Sequence, residues 1–387
     1  ENVEVIVVGL GAAGSATLQQ LARRGIRPLG IDRFSPPHDR GSSHGDTRVT
    51  RQAIGEGAAY MPLVRRSHEI WRGLEAEHDV QLLRCNGCLV IQDPGPTSVH
   101  GAPDFLGTTV AAAKQFGVPV ELLDATETMR RFPQFSLRGD EHACFEPSGG
   151  YVLPERCVAT QLDDAMRHGA LVRRNERVLR IAADGSGVAV DTDAQSYRAA
   201  RCVLSAGAWV MQFLPQSWRN TFRVYPQVLT WFAAEPGSAT DHGDTSMPSF
   251  VWAIRGGDIL YGVPAVPGSP EVKVATEQFA ETCEADTVRE SFDAAGVAGH
   301  CNHLMRPRFP GLRPDAARST LCMYTVTPDM GFVVDSHPDV DSVIVVSACS
   351  GHGFKHSAGL GAAVAELIES GAAYTDLAPF SMSRFGA

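Results

Sequence analysis

The chain opens with Val3-Glu4-Val5-Ile6-Val7-Val8-Gly9-Leu10-Gly11-Ala12-Ala13-Gly14, and a second apolar stretch, Arg27-Pro28-Leu29-Gly30-Ile31, ends at Asp32. The run from Val3 to Val8 is β-branched and apolar, which predicts a buried parallel strand. A helical pattern follows from Ala12 to Gly25, with Ala16, Leu18 and Leu21 among its apolar positions. Strand, G-x-G-x-x-G, helix, strand and acid form the fingerprint of a dinucleotide site. Gly9 permits the tight turn, Gly11 lets backbone approach a pyrophosphate, and Gly14 lets helix and strand pack closely. The helix N-terminus offers free N–H groups to the phosphates. Asp32 suits the ribose hydroxyls and disfavours a 2′-phosphate, so NADP is not expected. The motif alone leaves FAD and NAD both open.

Working outward, 387 residues exceed one ordinary hydrophobic core, so two domains are expected. Hydrophobic residues at 44% and charged residues at 20% are globular values. A net charge of −10 lacks the basic footprint that nucleic acid requires. No apolar run is long enough for a membrane helix, and no basic-then-apolar leader is visible, so neither membrane nor export is expected. Nine cysteines, an odd and scattered set, suggest reduced thiols and a cytoplasmic protein. Cys85 and Cys88 have C-x-x-C spacing without a second half-site, so no metal is expected.

Three further regions stand out. Phe34 to Arg51 is a long polar loop beside the nucleotide motif, placed to cover the far end of a cofactor. Arg48 and Arg51 would share a face if it turned helical. Cys322-Met323-Tyr324-Thr325-Val326-Thr327-Pro328-Asp329 and Ser350-Gly351-His352-Gly353-Phe354-Lys355 pair a cysteine with a glycine-rich loop carrying a lysine. That pairing makes sense if both touch one flat, electron-accepting cofactor. Leu171–Arg180, the run 199–209 and Val343–Ala348 read as further strands, and 233–248 as a loop.

Gly41-Ser42-x-His44-Gly45-Asp46-Thr47-Arg48, with Arg51 and Gly55-Glu56-Gly57, resembles the monomeric sarcosine oxidase and N-methyltryptophan oxidase family, FAD amine oxidases of the D-amino-acid oxidase-like superfamily. The Cys322 and Lys355 motifs and the terminal Phe380-Ser381-Met382-Ser383-Arg384-Phe385 resemble the same family, in the same order. The resemblance implies FAD, covalently attached through Cys322. It implies an α/β (α+β overall) fold, with a Rossmann-like FAD-binding domain over 1–85, 150–215 and 320–387. A mostly antiparallel substrate lid would span 86–149 and 216–319.

The reaction implied is oxidation of N-methyl or other secondary amino acids. Hydride passes to flavin N5, the imine hydrolyses, and O₂ is reduced to hydrogen peroxide. The partners are then a small amino acid and O₂, in a monomer. Arg51 and Lys355 would hold the substrate carboxylate, Arg as a planar fork and Lys as a point charge. Lys273 would be the cation beside O₂. Tyr261 and Tyr324 would border the substrate. His44, Thr47 and Arg48 would line the flavin ring, with Arg33, Ser42, Val178, Ala206, Gly207, Trp209, Gly351, Gly353 and Phe354 as other cofactor contacts. The helix from Ser357 to Ile368 would point its N-terminus at the flavin.

The sequence departs from the family at Ser43, where a second histidine is common, and at Glu277, where sarcosine-oxidising members carry a histidine. Trp252 and Val263 also depart, at pocket positions. Glu277 is therefore expected to read a cationic or hydroxylated substrate side chain. Competing readings are an FAD dehydrogenase with another acceptor, an NAD dehydrogenase, and a non-catalytic dinucleotide-binding protein.

Overall fold

Val5–Val8 is buried at every position and lies at the centre of a six-stranded sheet. Arg201–Leu204 and then Val340–Ser347 flank it on one side, in parallel. Pro28–Ile31 and Leu171–Arg173 flank it on the other, also in parallel. Val333–His337 adds one antiparallel edge. The computed structural model of the chain describes residues 3–238 and 240–386.

The helix Ala12–Arg23 begins at the first strand's end and is buried continuously from Gly14 to Ala22. It packs between helices Pro154–Arg167 and Ser357–Ser370; small and apolar residues fill most of the contact, and buried Gln19 donates to Asp164 at 2.7 Å. A Cβ at Gly14 would stand 1.8 Å from the Gly9 carbonyl oxygen. Only glycine permits so close an approach.

Two local expectations are corrected. The run 171–180 is not one strand: Asn175, at φ 56°, turns the chain. Leu171–Arg173 stays in the parallel sheet, while Val178–Asp184 joins a separate antiparallel sheet with Gly187–Thr192 and Ser196–Ala199. Arg48 does not begin a helical turn. Arg48–Thr50 is a strand paired antiparallel with Gly150–Val152, so Arg48 and Arg51 do not share a helical face. β-branched Val49 and Thr50 favour that extended state.

The second large sheet has eight strands and is antiparallel except where Ser249–Ala253 meets Cys88–Gln92. Its order is Arg318–Val326, Arg223–Phe232, Val272–Thr276, Ile259–Val263, Ser249–Ala253, Cys88–Gln92, His142–Glu146, Glu121–Asp124. The division drawn at residue 320 falls inside Arg318–Val326, which pairs with Arg223–Trp231 throughout. Cys322 therefore sits on this sheet, not on the nucleotide side. The loop 233–248 forms bridges at Ala234 and Gly243, with Ala239 outside the described residues.

The two faces of this sheet differ. Phe232, Phe250, Trp252, Leu260, Val272 and Val274 face away from the nucleotide fold and pack with Phe309 and the helix Ala294–Met305. Alternate residues, including Trp231, Tyr261, Ala275 and Cys322, form a second cluster on the opposite face. Among the described residues no helix is long and apolar enough to cross a membrane.

Candidate active site

One cleft runs between the two sheets, from the glycine motif to the near face of the eight-stranded sheet. At its nucleotide end Gly9, Gly11 and Asp32 meet Arg33, Val178, Ala206, Gly207 and Trp209. Asp32 is buried. Its two oxygens accept the N–H groups of Leu10, at 2.7 Å, and Phe34, at 2.8 Å, which fixes the carboxylate at the second strand's tip. The Ser43 hydroxyl accepts the Ala12 N–H at 3.0 Å, so this loop residue braces the helix start.

Arg33 lies over the rings of Trp209, at 4.8 Å, and Phe34, at 5.0 Å. Asp286 holds both Arg33, at 2.9 Å, and the Trp209 indole N–H, at 2.7 Å. The nucleotide end is thus strapped by a residue from the substrate side that sequence reasoning did not select.

The middle of the cleft is lined by Ser42, Arg48, Tyr261, Tyr324, Gly351, Gly353 and Phe354. The Tyr261 and Tyr324 hydroxyls are 3.1 Å apart, and burial pushes both phenols upward, so both stay protonated. Arg48 donates to the Ser42 carbonyl at 3.1 Å and lies 3.6 Å from Cys322 Sγ. Cys322, His44, Thr47 and Lys273 form the layer behind Arg48, and all four are buried. Burial, helped by Arg48 and Lys273, lowers the His44 pKa to about 3, so that imidazole is neutral. Lys273 Nζ donates to the carbonyls of Gly45, at 2.9 Å, and Thr47, at 2.7 Å. Burial and then Arg48 push its pKa well below the ordinary lysine value.

The substrate end holds a buried charge cluster. Arg51 and Lys355 are brought together, as expected, but both already bind a carboxylate. Glu56 accepts from Arg51 at 2.7 Å and from Lys355 at 2.9 Å, and all three side chains are at most 7% exposed. Burial opposes ionisation of Glu56, yet the two cations hold its pKa well below the usual carboxylate range. Burial lowers Lys355 to about 8, despite Glu56. Glu277 also has a partner: His100 Nε2 lies 3.1 Å from each of its oxygens. Burial works against a charged His100, but Glu277 and then Glu56 raise its pKa to about 9.

Glu56 and His100 were not among the residues selected from the sequence. Glu56 had a signal, because two buried cations demand an anion. His100, in a tight turn, had none.

One selected residue lies on the far face of the sheet, away from the cleft. Trp252 does not line the cleft. Its indole N–H donates to Asp93 at 2.8 Å, and its ring packs near Phe309 in the core on the sheet's far face. Strand alternation puts Val251 on the cleft side instead, opposite Tyr261. Gly14 lies behind the cleft, packing helix on strand.

The residues present fit a flavin dinucleotide. A helix start with backbone N–H groups meets a buried acid and a stacked Arg33–Trp209 end. Beyond them the cleft continues far enough to reach tyrosines and a carboxylate-binding cluster. In the layer behind Arg48, His44 Nε2 is buried with no hydrogen-bond partner among the described residues.

Residues 4–367 match the family model described as FAD dependent oxidoreductase. The chain is similar to the monomeric sarcosine oxidase of Streptomyces avermitilis, 35% identical, with 99% of this chain and 98% of the relative covered. It is 33% identical to the monomeric sarcosine oxidase of Bacillus sp. strain B-0618, covering 99% and 96%. It is 31% identical to the N-methyl-L-tryptophan oxidase of Salmonella dublin, covering 99% of each. Among solved structures, NikD, described as an unusual amino acid oxidase, superposes with a TM-score of 0.84 over 98% of this chain and 97% of that one, at 23% identity.

Proposed function

The chain belongs to the FAD-dependent oxidoreductase family, and from that premise we propose that it oxidises N-methyl or other secondary amino acids with oxygen as acceptor. One observation carries the reading. A single cleft joins a dinucleotide cradle to a buried cluster with surplus positive charge. Among the described residues, the ion pairs of Arg51, Lys355 and a protonated His100 are made with two carboxylates, Glu56 and Glu277. One substrate carboxylate would neutralise the set.

Among the described residues Arg51 Nε is buried without a partner, so it has a donor left for that carboxylate. Lys355 supplies the second contact and carries a proton below about pH 8. Tyr261 and Tyr324 flank the amine and exclude water from it. FAD, when bound, supplies the hydride acceptor and passes the electrons on to oxygen. Burial makes His352, which lines the cleft, a weak base. His352 is buried and its Nε2–H donates to the Met330 carbonyl at 2.9 Å. The amine therefore enters neutral, with its proton left in solvent.

Lys273 is proposed as the cation that assists oxygen. Two carbonyl acceptors suit an ammonium, but burial opposes one, so the role requires a negative charge to arrive beside it. Cys322 is proposed as the covalent tether, supported by its place on the near face beside Arg48.

The test is anaerobic mixing of the flavin-loaded protein with a panel of N-methyl and cyclic amino acids, then admission of air. Bleaching followed by stoichiometric peroxide is expected for at least one. A panel that never bleaches the flavin removes the reading. Bleaching without reoxidation by air favours a dehydrogenase.

A further inference from the structure

His100 stands in a turn closed by mutual backbone hydrogen bonds between Val99 and Ala102, at 3.1 and 2.9 Å. Its φ of 47° is uncommon for a residue with a side chain. The turn directs the imidazole inward, where Nε2 meets both Glu277 oxygens and Nδ1 lies 3.5 Å from Glu56. The His100 and Glu277 side chains are 9% and 5% exposed. Gly351 seats the pair: a Cβ there would stand 2.9 Å from His100 Nε2 and 3.2 Å from Glu277 Oε1. Nδ1 is buried and has no hydrogen-bond partner among the described residues.

We propose that His100 determines substrate charge: as the internal counter-ion of Glu277, it makes the side-chain end of the pocket neutral, so the site selects carboxylates with an uncharged remainder. This rests on the reading of the cleft as an amino-acid site. It also replaces the expectation that Glu277 recruits a cation from the substrate, because that cation is already present in the chain. A cationic substrate would have to displace His100 and strand it in a buried site. A second anion would exceed the single surplus positive charge of the cluster. Either leaves an unbalanced buried charge, which is costly.

The groups facing His100 are Glu277 and Glu56, the His352 ring at 5.1 Å, and the Tyr324 ring where both meet Gly351. Arg51 and Lys355 lie beyond Glu56. Burial holds His352 neutral and Tyr324 protonated. The two carboxylates thus face the imidazole without a competing charge in direct contact. They keep it protonated through neutral pH, up to about 9.

Hexanoate, 6-aminohexanoate and adipate provide the test, since they differ in charge at one end and lack the α-amine that would be oxidised. Each is titrated into the flavin-loaded protein at neutral pH and followed by the flavin absorbance. The wild type should bind hexanoate about tenfold or more tighter than the other two. His100→Asn should shift the ranking toward 6-aminohexanoate by about tenfold, and Glu277→Gln should shift it toward adipate by a similar factor.

If His100→Asn does not fold, His100→Gln decides, since it likewise removes the cation and leaves Glu277 in place. The double variant, with a neutral pair, should restore the wild-type ranking. An unchanged ranking in the variants, or no hexanoate binding to the wild type, overturns the proposal. If N-methyl amino acids never bleach the flavin while the ranking shifts as stated, the oxidase reading fails and this one stands. Oxidation with an unmoved ranking fails this one alone.

Discussion

Glu56→Gln tests the charge cluster most directly, because one substitution removes the anion that both Arg51 and Lys355 share. At 2.9 Å, two unit charges interact by about 6 kcal/mol at an effective dielectric of ~20. The carboxylate spreads its charge over two oxygens and the amide oxygen still accepts, so about half of that is lost, or ~2 pKa units. Lys355 then falls from about 8 to roughly 6.

The sign follows from which form binds. A carboxylate ligand needs protonated Lys355, so affinity is full below the lysine pKa and weakens about tenfold per pH unit above it. Propionate titrated into the flavin-loaded protein from about pH 5 to about pH 10 should show that break near 8 in the wild type and roughly two units lower in the variant. Below the break the variant should bind more tightly, since Glu56 no longer competes. Without ligand, uncompensated buried cations should lower unfolding stability by about 3–5 kcal/mol, read by denaturant titration. Superimposed pH profiles would refute the claim that Glu56 sets the charge of Lys355.

Val251→Phe should raise KM about tenfold or more for the bulkiest N-methyl amino acid that the panel shows to be oxidised, by filling cleft space, whereas Trp252→Phe should leave the substrate ranking unchanged. Trp252→Phe instead costs about 1–3 kcal/mol of stability, since Asp93 Oδ1 loses its indole donor while Oδ2 keeps Arg138. Acid precipitation should carry the yellow colour into the pellet for the wild type and release it for Cys322→Ala; colour released from both would exclude the tether. Lys273→Met should leave anaerobic flavin reduction within about threefold and slow reoxidation by ~100-fold, measured by stopped flow.

The nucleotide half of the fold was readable because its signals are local. Strand, glycine turn, helix and acid are contiguous between Val5 and Asp32, and each is set by nearest neighbours. What failed was non-local. Asn175 breaks an apparently continuous strand because its left-handed turn sends Leu171–Arg173 and Val178–Asp184 to different sheets. Arg318–Val326 belongs with Arg223–Phe232 through hydrogen bonds between segments far apart in sequence. The Trp252 error has the same origin. Alternation tells which residues share a face, but not which face is the cleft. That phase is set by the pairing of Val251 with Tyr261.

At the site, residue types were easier to foresee than charge balance. The two cations converge as the motifs suggested, and buried cations need an anion. The error was to leave that demand wholly to the substrate, when Gly55-Glu56-Gly57 already held the answer. Glu277 shows the converse. An isolated buried carboxylate asks for a cation, and the turn at His100 supplies it from a segment with no chemical signature of its own. Buried charges therefore have to be counted as a set before any of them is assigned to a ligand. Once Glu56 and His100 are counted, the cluster of Arg51, Lys355, His100, Glu56 and Glu277 keeps one positive unit. The simplest ligand that matches it is a neutral amine bearing a single carboxylate.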